Sequence, residues 1–162
     1  MKKFVTFCAI GGLMAACATT DAVQQPVNVT PKNAETAVGL DVFAAQRAAG
    51  NSAPRYRGDI TIDVVSLRET LGAESGVPTT ADCTLDSGLY TASFATPAKV
   101  VVPNYGRVSP AIFVQCKSGS QSGNVTQRPR NVTAGETADT APTRPDQSGD
   151  VFNYGTIVVT LK

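Results

Sequence analysis

The chain has 162 residues with 14 basic against 13 acidic, a net charge of +1; 42% of residues are apolar, only 6% are aromatic, and histidine and tryptophan are absent. This balance provides no strongly basic field, so a nucleic-acid partner is not expected. Without histidine the chain alone cannot supply a histidine-activated nucleophile, a histidine-ligated zinc or a near-neutral imidazole acid/base. With the carboxylates considered below, neither an enzyme nor a cofactor is expected, and a buried pair of carboxylates in a cleft would revive an enzyme.

Chain order begins with an export pattern. Met1-Lys2-Lys3 is a short positive region, Phe4 to Met14 is an apolar run, and Ala15-Ala16-Cys17 supplies small residues. The run is too short to span a bilayer, which takes about 20 apolar residues. Residues 1–16 therefore read as a signal peptide. Its removal takes Lys2 and Lys3, leaving 12 basic against 13 acidic residues, a net of −1.

Leu13-Met14-Ala15-Ala16-Cys17 resembles the bacterial lipobox, although Met14 stands three places before Cys17 where that motif favours Leu, Val or Ile. The resemblance implies cleavage before Cys17, lipid modification of Cys17 with palmitate-type acyl chains, and a lipoprotein held to the membrane. With Ala18 rather than Asp following, it points to an outer-membrane lipoprotein facing the periplasm. Cleavage after Ala18 is the alternative, and it gives a soluble periplasmic or secreted protein.

Cys8 falls inside the signal and Cys17 is the lipid carrier, leaving Cys83 and Cys116 in the folded part. An even pair in an exported protein reads as a disulfide. A loop of that length would contribute about 3 to 4 kcal/mol on the chain-entropy model.

Residues 17–58 read as the lipidated terminus and a flexible tether, since Pro26 and Pro31 break any helix and residues 18–37 show no hydrophobic period. A short helix over 41–49 fits within it, with Asp41 as cap and Gly50 as stop. The folded domain is expected over 59–162. Ile60, Ile62 and Val64 alternate with polar residues as in a half-buried strand, and 72–80 reads as a loop. Cys83 to Leu85, a turn at Asp86-Ser87-Gly88 and Leu89 to Phe94 form a hairpin signature. Lys99 to Pro103, Ala111 to Cys116, Asn124 to Gln127 and Gly155 to Leu161 follow as strands, with a polar loop at 118–123 and a long excursion up to Gly149. The last strand is expected beside the Asp59–Leu67 strand or the Cys116 strand. Short strands separated by Gly and Pro turns, with no long amphipathic helix, predict an all-β fold.

Cys83, Leu85, Gly88, Tyr90, Thr96, Pro97, Val100, Val102 and Cys116 together resemble a pattern of secreted and lipid-anchored bacterial Ig-like domains, loosely related to PEGA-type sandwiches. The resemblance implies a small Ig-like β-sandwich that serves as an envelope module without assigned chemistry.

This scaffold carries several candidate functional residues. Asp63, Asp82 and Asp86 lie near strand ends, where paired carboxylates would be needed for glycoside hydrolysis, but they read as strand-face and turn residues. Asp146 to Asp150 lacks calcium-loop spacing. Tyr56, Tyr105 and Tyr154, with Arg128 and Arg130, form a candidate ligand surface for stacking on a small ligand or glycan. The leading expectation is a non-catalytic membrane-anchored module that contacts an envelope protein or polysaccharide. A periplasmic small-ligand or glycan binder is the alternative, favoured if the tyrosines share one exposed face.

Overall fold

The computed structural model describes residues 25–69, 76–132 and 151–162. The export signal, Cys17, Ala18 and Asp146 to Asp150 lie outside the described residues, as does most of the excursion expected up to Gly149. The described chain is an all-β sandwich of two five-stranded sheets.

Sheet A is organised around β3 (Asp59–Arg68), in which Ile60, Ile62 and Val64 turn inward as the sequence pattern predicts and Ser66 follows them. Along one edge, β7 (Ala98–Pro103) pairs antiparallel with residues 59–64, and β4 (Val77–Thr79) pairs with residues 66–68. Along the other edge lies β12 (Ile157–Leu161), parallel to residues 64–68, one of the two positions expected for the last strand. The strand β4 corrects the loop reading of 72–80. Only three residues long and broken by Pro78, it is too short to show a period.

Sheet B runs β2 (Thr30–Pro31), β6 (Tyr90–Ala95), β5 (Asp82–Asp86), β8 (Ile112–Ser118) and β9 (Gln121–Gln127). The β5–β6 hairpin turns at Ser87-Gly88, where Gly88 takes φ +82° and the Asp86 carboxylate accepts from the Gly88 N–H at 2.6 Å. Residues 118–123 are not the loop the sequence suggests: the turn is tight, and β9 pairs with β8 from Gln121 onward. Its Gln, Ser, Gly and Asn residues hid the strand.

Between the sheets, Ile62, Val64, Val100, Val102, Ile157, Val159 and Leu161 face Leu85, Tyr90, Ile112, Val114 and the two cysteines. Cys83 and Cys116 are directly opposite on β5 and β8, with Cα atoms 4.1 Å apart, and are joined by a disulfide on the buried side. The bridge thus ties neighbours within one sheet, whereas the antibody-type bridge spans two sheets. Ser66 and Thr96, both buried, share a hydroxyl–hydroxyl hydrogen bond, and Thr96 Oγ1 also accepts from the Ala81 N–H at 3.0 Å. These bonds satisfy polar groups at the corner where β3, β4 and the β6–β7 connection meet.

Both sides of the sandwich are stitched. On one side β1 (Val27–Asn28) runs parallel to β7 in sheet A; the chain then crosses at buried Val29 to become β2 in sheet B. On the other, Ser122 of β9 and Lys162 after β12 exchange backbone hydrogen bonds of 3.2 and 3.1 Å. A Cβ on Gly123 would lie 2.1 Å from the Thr160 carbonyl oxygen, so only glycine allows the strands to approach this closely. A small ribbon, β10 (Arg130–Asn131) with β11 (Phe152–Asn153), completes the strands.

The flexible tether expected over 17–58 is corrected from Val27 onward. Val29 and Val42 belong to the core, and a 3-10 turn (Ala34–Thr36) precedes α1 (Ala44–Ala48). Asp41 does not cap this helix. It lies 6% exposed, accepts from the Phe43 N–H at 3.2 Å and from the Arg47 guanidinium, and receives the Tyr105 hydroxyl at 3.3 Å. Arg47 also donates to the Pro54 carbonyl at 2.6 Å, closing the segment on itself. The domain therefore starts well before the boundary expected at Asp59. Edge strands of two residues and a single-turn helix bury few apolar side chains each, so none leaves a period in the sequence.

Candidate functional site

The tyrosines expected on an exposed surface are interior residues. Tyr105 and Tyr154 are each 2% exposed and Tyr56 is half-buried. Tyr105 packs edge-on against Phe43, with ring centroids 5.1 Å apart, and its hydroxyl accepts from the Val42 N–H at 2.9 Å. Tyr154 donates to the Pro110 carbonyl at 2.6 Å, and Tyr56 to Asp59 at 2.6 Å. Burial is the leading cause that raises the pKa of Tyr105 and Tyr154 above the ordinary tyrosine value; at Tyr56 burial leads and the Asp59 hydrogen bond adds. Arg128 and Arg130 are exposed at the end of β9 and in β10, but the rings meant to stack beside them are turned inward. The candidate ligand surface of Tyr56, Tyr105, Tyr154, Arg128 and Arg130 is therefore not formed. Each tyrosine lay in a loop or short strand, where no period distinguished inward from outward.

The carboxylates do not converge either. Asp63 is on sheet A, paired with Lys99 at 2.7 Å, while Asp82 and Asp86 are on β5 of sheet B. Asp86 is bound by Lys32 at 2.7 Å, and this hydrogen bond, followed by the Gly88 N–H, lowers its pKa. Among the described residues no group of three or more His, Cys, Asp or Glu could hold a metal ion, and no helix is long and apolar enough to cross a membrane.

What sheet B does assemble is an outward-facing grid. Strand register aligns Ser93, Thr84, Gln115 and Asn124 in one row across β6, β5, β8 and β9. The row on one side holds Thr91, Asp86, Phe113 and Thr126; the row on the other holds Ala95, Asp82, Lys117 and Ser122. Phe113, 40% exposed, is the one exposed aromatic ring among the described residues. Part of this face forms a shallow concavity of about 460 Å³ lined by Asp82, Thr84, Ser93, Gln115 and Lys117, with Cys83 and Phe94 at its wall.

The side chains of Ser93, Thr84, Gln115 and Asn124 have no hydrogen-bond partner among the described residues and are exposed. Chemically the grid can stack and hydrogen-bond; it holds no nucleophile paired with a base. The alternation of Ile112, Val114 and Cys116 already turned Phe113, Gln115 and Lys117 outward. The rows across strands needed the register, which no local pattern encodes.

Comparison with protein-family models, with curated proteins and with solved structures finds no match to this chain.

Proposed function

We propose that the protein is a non-catalytic, lipid-anchored module of the bacterial cell envelope that holds an envelope partner near the membrane. On this reading residues 1–16 direct export, Cys17 carries the lipid, and the sandwich faces the periplasm from the outer membrane. The observation that carries it is the apolar run ending in Leu13-Met14-Ala15-Ala16-Cys17, with its basic start at Lys2-Lys3.

Packing from Val27 adds a geometric consequence. The ten steps from Cys17 to Val27 span at most about 36 Å when fully extended, so a lipid at Cys17 holds the sandwich close to the bilayer rather than on a long leash. Anchorage of this kind suits a module that works by contact. The test is membrane fractionation of cells making the wild-type chain and Cys17→Ser. The reading expects wild type processed and in the membrane fraction and the variant either released or left unprocessed; identical processing and identical partitioning of both would overturn it.

A further inference from the structure

We propose that the outer face of sheet B binds an uncharged polysaccharide strand, with a sugar ring on Phe113 and neighbouring sugar hydroxyls bonded by Ser93, Thr84, Gln115 and Asn124. This deepens the function proposed above and rests on its reading of the sandwich as a contact module, but not on the lipid anchor.

Three features select this ligand. Adjacent strands lie about 4.8 Å apart, so the middle row offers one hydroxyl or amide at a spacing of the order of one sugar ring. Each of the four groups both donates and accepts, as sugar hydroxyls do, and none is engaged by another described residue. Beside this row, Phe113 supplies the flat apolar face on which the C–H side of a pyranose packs.

Charge argues for a neutral chain. Asp86 is held by Lys32, Asp82 stands opposite Lys117 in register, and the middle row carries no charge. A peptide adding as a strand has no purchase here, because β5 is paired with β6 and β8, and β8 with β5 and β9. The centre of the face presents side chains only.

The test is calorimetric titration of the full chain, purified in detergent, with an anionic polygalacturonate as control and with two hexasaccharides: β-1,4-linked glucose and β-1,4-linked N-acetylglucosamine. Binding of either is expected, and the arm that binds tells whether acetamido groups are read. Phe113→Ala and Gln115→Ala should each weaken binding at least about tenfold, a loss of about 1.4 kcal/mol. Thr61→Ala, exposed on sheet A, should leave binding unchanged. Circular dichroism selects variants that keep the sheet. Failure of both hexamers to bind, equal binding by wild type and both face variants, or binding of an anionic polygalacturonate alone would overturn the proposal. Cys17→Ser should bind as wild type, so failure of the anchor and failure of this face are read separately.

Discussion

Tyr105 and Asp41, 64 positions apart, meet inside the molecule: the phenol hydroxyl donates to the carboxylate at 3.3 Å while accepting from the Val42 N–H at 2.9 Å. This hydroxyl ties Asp41 and Val42 to the turn after β7, beside the burial of Val42 and the packing of Phe43 on the same ring. Tyr105→Phe keeps the ring contacts with Phe43 and Tyr56 but leaves a buried N–H without that acceptor, at an expected cost of about 1 to 3 kcal/mol. Urea unfolding measures it. No change in midpoint would mean that the two hydrogen bonds of this hydroxyl contribute nothing to stability.

The disulfide predicts a larger effect. Cys83 and Cys116 are 33 positions apart, and cross-linking a loop of that size contributes about 3 to 4 kcal/mol by restricting the unfolded chain. Cys83→Ala/Cys116→Ala should lower the unfolding free energy by that amount, read in the same urea series, with the neighbouring β5–β8 backbone pairing unchanged. Thiol labelling of the unreduced wild type should leave both sulfurs unreacted; labelling of both contradicts the bridge.

Alkaline pH offers a third test. All four tyrosines have raised pKa values, with burial first among the causes at each. A folded-state value above the unfolded value of about 10 means that the contribution to stability is whole below that pH. It is lost as pH climbs from the unfolded toward the folded value. Tyrosinate absorbance should therefore stay low as pH passes 10 and rise only together with loss of the β-sheet dichroism. A tyrosine that ionises near 10 with the sheet intact contradicts the burial described.

How much of this was legible in the sequence depends on the length of each element. Asp59–Arg68, Ile112–Ser118 and Ile157–Leu161 alternate long enough for inward and outward positions to be assigned, and their cores are as the pattern predicts. Val27–Asn28, Thr30–Pro31 and Val77–Thr79 are shorter than a readable period and become strands through pairing alone. Tyr105 and Tyr154 suggested a wet face because tyrosine carries a polar tip, yet a backbone carbonyl, a carboxylate or an N–H within reach let each tip go inside. The row joining Ser93, Thr84, Gln115 and Asn124 spans four strands and became visible only when register set them side by side.

Intact mass of the mature chain recovered from membranes tests anchorage at Cys17. An N-terminus at Cys17 with the added mass of covalently bound lipid is expected, and that lipid mass should be abolished in Cys17→Ser. A mature chain beginning at Thr19 with no lipid mass, or one that retains residues 1–16, would contradict it.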